Sequence, residues 1–210
     1  MYRYTNITFY REELRDLGIA WVALGIAFTF FLTPTGFLQD IVAGVQDMSA
    51  LGRTFILSML TVGAGFLLHE LAHKIVAVRF GQVAAFRADY GMLALAIASG
   101  LAGFLFAAPG AVYHRGRITI RQNGLVAVAG PVTNLILAVL FFIPFLLTGG
   151  FVAEIARMGV LVNLFLAAFN MVPFGPLDGN TVKQWDTGVF GLVFGISLVA
   201  LVWFLLSYGL

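Results

Sequence analysis

Five long apolar stretches limit how this 210-residue chain can fold. A helix needs about 20 apolar residues to cross the hydrocarbon core of a bilayer, and each stretch approaches that length. Only 10% of the residues are charged, against about 25% in an average soluble domain. The sequence therefore predicts an all-α polytopic membrane protein with five to six transmembrane helices. The predicted spans are approximately Leu17–Leu32, Phe55–Val78, Leu125–Leu147, Ile155–Val172 and Thr187–Leu206, the first preceded by a polar segment (REELRD) at the membrane interface.

A sixth apolar stretch, Gly91–Ala108, is long enough to span but is predicted not to. Three arginines among residues 1–16 place the N-terminus on the cytoplasmic side by the positive-inside rule. If the sixth stretch crossed the membrane, Arg115, Arg117 and Arg121 would lie outside, against that rule. If the chain dips in and returns, they stay cytoplasmic together with Lys74, Arg79 and Arg87. We therefore expect a re-entrant hairpin at about residues 91–112.

The rest of the composition bounds the organisation of the chain. No soluble domain, linker or repeat is apparent, so residues 1–210 are predicted to form a single membrane-embedded domain. The expected location is the cell membrane, as a multi-pass protein with the lipid bilayer as its environment. The net charge of +2, without a basic stripe, argues against nucleic acid as a partner. The sequence does not indicate an oligomeric state.

A cluster of ionisable residues lies inside the second apolar stretch. His69, Glu70 and His73 form an H-E-x-x-H motif, in which two histidines one helical turn apart can bind one metal ion beside a glutamate base. With three histidines and four glutamates in the chain, chance would produce this pattern on the order of once in a thousand such sequences. Ionisable residues at membrane depth are costly and indicate function. The alternative is that the histidines only pack or hydrogen-bond between helices.

The third ligand of a zinc site has to come from His, Asp or Glu, because the chain has no cysteine. The best candidate is Asp178, which follows a helix break at Pro173 and Pro176. The alternative is an ordinary Pro-Leu-Asp-Gly turn at the membrane surface. Under the hairpin topology Asp178, the H-E-x-x-H helix and the buried amide of Asn134 all approach the cytoplasmic half of the membrane, which favours a shared site.

Three motifs in this order, H-E-x-x-H, G-P-x-x-N and N-x-x-P-x-x-P-L-D-G, resemble the site-2 protease family of intramembrane zinc metalloproteases. The resemblance covers about residues 55–182, which would be the catalytic core. It implies that Zn²⁺ is bound by three residues, His69, His73 and Asp178. It also implies that Glu70 is the catalytic acid/base and that Asn134 helps to hold the substrate or the developing oxyanion. The loop that would present the substrate strand contains Asn170, Pro173 and Pro176.

The expected activity is hydrolysis of peptide bonds in a transmembrane protein substrate, through a zinc-activated water. One rival is a membrane zinc protease that cuts soluble or prenylated substrates and takes another ligand, such as Glu154. A second rival is a non-proteolytic metal-binding scaffold or carrier, which would not need Glu70. His114 could be a further ligand, but its basic neighbours favour an interfacial residue. Asn163 is expected to hydrogen-bond between helices.

Overall fold

A computed structural model describes residues 7–33, 44, 47–104 and 109–209 of the chain. Among these residues, five helices are long and apolar enough to cross a membrane. They are Arg11–Leu32, Met48–Arg79, Ile120–Leu147, Gly150–Asn170 and Thr187–Tyr208. The prediction of an all-α polytopic membrane protein is confirmed.

The elements are named here in chain order. Helix α1 is Arg11–Leu32, and the second span consists of α2 (Met48–Ser58), a π-helical turn (Met59–Gly63) and α3 (Ala64–Arg79). Strand β1 (Val83–Ala88), helix α4 (Tyr90–Leu101) and strand β2 (Gly110–Arg115) follow. The chain continues through α5 (Ile120–Leu147), α6 (Gly150–Asn170), α7 (Asp178–Trp185) and α8 (Thr187–Tyr208).

The first helix begins earlier than predicted, and its polar segment does not lie free at the interface. The helix begins at Arg11 rather than near Leu17. Glu13 and Asp16 are buried: Glu13 pairs with Lys74 of α3, and Tyr90 donates to Asp16 over 2.6 Å. These partners allow charged residues to join a buried helix, which the linear sequence does not reveal.

A small antiparallel sheet of β1 and β2 is the main addition to the predicted fold. Ala88, the last residue of β1, pairs with Gly110, the first residue of β2. The segment between the strands therefore begins and ends at neighbouring positions. Helix α4 lies between them and, with 12 residues, is too short to span a bilayer. This geometry agrees with a re-entrant segment; residues 105–108 of the predicted hairpin lie outside the described residues.

A π-helical turn, Met59–Gly63, interrupts the regular α-helix of the second span before the H-E-x-x-H motif. Such a turn frees backbone groups from the regular α-helical pattern. The indole Nε1 of Trp21 in α1 donates to the carbonyl of Met59 over 2.9 Å. Trp21 also lies against Gly63, where a larger residue would collide with its ring. The span is thereby held against α1 about two to three helical turns before His69.

Helices α3, α5, α6 and α7 surround the candidate site. Helix α5 packs extensively against α6 and against α3, and α7 packs against α5. The longest of them, α5, contains Pro131 and Pro144, which membrane helices tolerate because neighbouring groups satisfy the freed backbone. Most of the buried residues between these helices have small or aliphatic side chains, and only a few are polar.

Candidate metal centre

The two histidines of the motif lie on one face of α3 and are both buried. His69 is 4% exposed and His73 is 8% exposed. Their ring centres are 4.6 Å apart, with an interplanar angle of 83°. This follows from the i, i+4 spacing on a helix. Both Nε2 atoms therefore approach the same point.

Asp178 reaches that point from the other side. Its Oδ2 atom is 3.2 Å from Nε2 of His69 and 3.3 Å from Nε2 of His73. The three residues offer ligand atoms that all lie within 4.8 Å of one another. Three protein ligands of the His and Asp type leave a fourth position open, as catalytic zinc sites require.

Local structure at the start of α7 explains how Asp178 gets there. The loop before it exposes Pro173 and Pro176, and Asp178 is the first residue of the helix, where a negative charge is favourable. A Cβ built at Gly179 would lie 2.8 Å from Cα of Met171, so only glycine lets α7 fold back onto the end of α6. Asp178 and Gly179 thus lie in the first turn of a helix rather than in a plain surface turn, and the aspartate side chain approaches the two histidines.

The outer nitrogen of each histidine has a buried hydrogen-bond partner. His69 Nδ1 lies 2.5 Å from Oδ1 of Asn134, and His73 Nδ1 lies 2.8 Å from the carbonyl of Val126. A carbonyl can only accept, so His73 Nδ1 carries a proton, and in the neutral ring Nε2 presents a lone pair. Partners of this kind are typical of metal-binding histidines.

The hydrogen bonding of Asp178 indicates whether the three-residue cluster suits a cation. Oδ2 of Asp178 is buried and has no hydrogen-bond partner, although it is close to both Nε2 atoms. When both rings are neutral and protonated on Nδ1, the two Nε2 lone pairs and the carboxylate oxygen repel one another unless a positive charge lies between them. Buried polar atoms are rarely left unsatisfied. The donor set therefore fits a zinc ion.

Glu70 lies next to this cluster and has a free carboxylate oxygen. The side chain is buried, and its Oε2 atom has no hydrogen-bond partner. The backbone amide of Val112 in β2 hydrogen-bonds to the same carboxylate. The carboxylate thus lies beside the sheet, and its Oε2 atom is available to a proton.

Gly130 on α5 faces the two histidines of α3 across the site. The sequence analysis did not predict a role for it. A Cβ built there would lie 2.5 Å from Nε2 of His69 and 2.5 Å from Nε2 of His73. The absence of a side chain therefore leaves the space into which both ligand nitrogens point. The glycine of the G-P-x-x-N motif was the available signal.

The remaining predicted residues lie elsewhere. Asn170 ends α6, and its amide donates to the carbonyl of Leu166 over 2.9 Å. Glu154 lies in α6 and forms an exposed 2.6 Å ion pair with Arg53. His114 is on β2, beside Ala84 of β1; partial burial lowers its pKa, and the nearby His73 lowers it further. In the described part of the chain, neither Glu154 nor His114 joins the ligand cluster.

Comparisons with known proteins identify the family. The chain is 36% identical, over 95% of its length, to a protein of Methanocaldococcus jannaschii named "Putative zinc metalloprotease MJ0611", 97% of which is covered. The chain belongs to the zinc metalloprotease family of this protein. Over 60% of its length it is 34% identical to "Putative zinc metalloprotease YwhC" of Bacillus subtilis, 67% of which is covered. No family model matches the chain, and no solved structure matches it. The zinc metalloprotease names agree with the zinc predicted from the sequence and with the three-residue cluster.

Proposed function

We propose that this zinc metalloprotease is a multi-pass protein of the cell membrane that cleaves peptide bonds in transmembrane substrates, as site-2 proteases do. One observation carries the proposal: three metal-ligand atoms converge beside a free carboxylate oxygen on a helix that is long and apolar enough to cross a membrane. His69 lies ten residues before Arg79, or about 15 Å along the helix. That depth is about half of the ~30 Å hydrocarbon core.

In this proposal His69, His73 and Asp178 hold zinc and Glu70 is the acid/base. Bound zinc would polarise the scissile carbonyl and lower the pKa of a water molecule. Glu70 accepts the water's proton on its free oxygen and transfers it to the amine that leaves. The backbone of Val112 in β2 hydrogen-bonds to the Glu70 carboxylate beside the cluster.

The substrate has to present an extended peptide bond, because the bonds of an intact helix are hydrogen-bonded and shielded. Glycine and other weak helix formers near the cut site would ease local unwinding. We further propose that the exposed loop with Pro173 and Pro176 receives the unwound segment next to Asp178. Residues 55–182 contain all of these groups and form the proposed catalytic core of a single membrane domain spanning residues 1–210.

The first experiment measures zinc per chain in purified wild type, Asp178→Ala and the control Glu154→Gln. About one zinc per chain is expected in the wild type and in Glu154→Gln, with most of it lost in Asp178→Ala because a third ligand is removed. Full zinc in Asp178→Ala would show that the third ligand is a different residue. Zinc loss in Glu154→Gln would favour the rival that takes Glu154 as a ligand.

The second experiment separates proteolysis from metal carriage. Glu70→Gln keeps the size and hydrogen-bonding capacity of the side chain but removes its basicity. We expect this variant to retain zinc and to lose cleavage of a model transmembrane substrate by a factor of 10² or more. Unchanged cellular phenotypes in Glu70→Gln, together with their loss in His69→Ala, would instead support a non-proteolytic scaffold or carrier.

A further inference from the structure

We propose that Asn163 and Asn134 are positioning residues that set which nitrogen of His69 carries its proton, and thereby prepare His69 for metal binding. This inference rests on the proposed function, since it concerns the same metal centre. The motif comparison did not assign Asn163 to the site, and it gave Asn134 a role toward the substrate. The structure connects both of them to His69 through one directional chain of hydrogen bonds.

The series of hydrogen bonds begins at the backbone carbonyl of Gly159, which can act only as an acceptor. Asn163 Nδ2 donates to the backbone carbonyl of Gly159 over 2.8 Å. Because a carbonyl can only accept, the NH₂ end of the Asn163 amide has to face Gly159. Its oxygen therefore faces the other way, toward α5.

Asn134 is fixed next. Its Nδ2 donates to Oδ1 of Asn163 over 2.8 Å and to the carbonyl of Gly65 over 3.2 Å. Both partners accept, so both hydrogens of the Asn134 amide are used and its oxygen is turned toward His69. That oxygen lies 2.5 Å from His69 Nδ1, which must then carry the proton.

The consequence appears at the metal side of the ring. With its proton held on Nδ1, neutral His69 presents a lone pair at Nε2, the atom 3.2 Å from Asp178 Oδ2. The opposite tautomer would place a hydrogen where the metal binds. Zinc would then have to displace that proton and reverse both amides before binding.

Burial makes this orientation rigid. Asn134 and Asn163 are both 0% exposed, so no water is available to take over a broken bond. A Cβ built at Gly65 would lie 2.9 Å from Oδ1 of Asn163, so the α3 backbone also depends on glycine for this close contact. As an oxyanion donor, Asn134 would have to give up one of its two bonds.

The test uses Asn163→Leu and Asn134→Leu, with Ser197→Ala as the matched control. Ser197 is also 0% exposed, but its hydroxyl donates only to Val193 of its own helix. Zinc affinity is measured by chelator competition on detergent-purified full-length protein. Losing an outer partner of a metal-binding histidine typically weakens metal affinity 10–100-fold. We expect about a tenfold loss in Asn163→Leu, because Gly65 still anchors Asn134, and about a hundredfold loss in Asn134→Leu.

Unchanged zinc affinity in Asn134→Leu would overturn the inference, because a group that only contacts the substrate or oxyanion would reduce cleavage and leave metal affinity alone. A comparable affinity loss in Ser197→Ala would also overturn it, because the effect would then reflect general loosening of the protein. If the wild type binds no zinc, the proposed function fails instead, and the outcomes are therefore distinguishable.

A second measurement detects the proton on His69 directly. The chain has only three histidines, so ¹⁵N-histidine labelling gives a simple spectrum, and His114→Gln removes one set of signals. In metal-free protein the His69 Nδ1 shift is expected to be that of a protonated nitrogen. An unprotonated Nδ1 would overturn the inference. In Asn163→Leu the His69 signals should change while those of His73, held by Val126, should not.

Discussion

At the scale of single residues, the site depends as much on missing side chains as on those that are present. Gly130 leaves open the space between the two histidine Nε2 atoms, and Gly179 lets Asp178 approach that space. Glycines are common in membrane helices because they allow close packing, so composition alone does not mark these two. Only their neighbours show that they border the metal centre.

Gly130→Ala should abolish zinc binding. The added methyl group would lie 2.5 Å from Nε2 of both histidines and would crowd the space toward which the two ligand nitrogens point. The control is Gly191→Ala on α8, where no atom lies within 4 Å of the added carbon. Zinc per chain and thermal stability are measured for both variants. Full zinc content in Gly130→Ala would contradict the assigned geometry.

At the scale of secondary-structure elements, a buried ion pair joins the motif helix to the first helix. Lys74 follows His73 directly and pairs with Glu13 of α1, and the two side chains are 1% and 0% exposed. Lys74 also donates to the carbonyl of Thr8 over 2.8 Å, and Glu13 accepts from the Phe86 amide of β1 over 3.1 Å. One pair thus connects α1, α3 and the sheet behind the site.

Lys74→Met should destabilise the protein by about 3–5 kcal/mol, because it leaves the Glu13 carboxylate buried without its charged partner. Glu13→Leu combined with Lys74→Met should recover part of that loss, since the uncompensated charge is gone. Reversible unfolding in detergent provides the measurement. The exposed Arg53–Glu154 pair is the comparison, and Arg53→Met should cost only about 0–1 kcal/mol. Equal losses at the two pairs would contradict the structural role assigned to Lys74.

At the scale of the whole molecule, the sheet returns the chain after α4 to the place where it left β1. Pairing of Ala88 with Gly110 brings the two ends of the intervening segment together. Helix α5 follows β2 directly and packs against α3 and α7, the helices that bring His69, His73 and Asp178 together. In the proposed topology, α5 therefore enters the membrane from the side on which β1 lies.

Single cysteines test the topology directly, since the wild type has none. Val83→Cys on β1 and Tyr113→Cys on β2 replace residues that are 63% and 68% exposed. Both should react with a membrane-impermeant thiol reagent from the same side of sealed vesicles. Thr148→Cys, beyond the α5 span, should react from the opposite side. Labelling of positions 83 and 113 from opposite sides would mean that the segment between them spans the membrane.

Much of this organisation was predictable because it depends on local chemistry. Apolar length predicted the five spans, since a helix has to match the bilayer thickness. The i, i+4 spacing placed His69 and His73 on one face, and a proline-broken loop indicated that Asp178 could turn inward. The paired strands were not predicted: Val83–Ala88 and Gly110–Arg115 are short, and each is stable only beside the other.

Tertiary structure alone decided the contacts between residues distant in sequence. Glu13 looked interfacial until Lys74, 61 residues away, was brought against it. Asn163 was expected to hydrogen-bond between helices, but only the structure shows that its partner is Asn134, which in turn contacts His69. The sequence by itself determined the membrane class and the chemistry of the metal ligands, because both depend on residue type and spacing. Which buried polar groups satisfy one another depends on how helices pack, and the linear chain does not encode that in any local pattern.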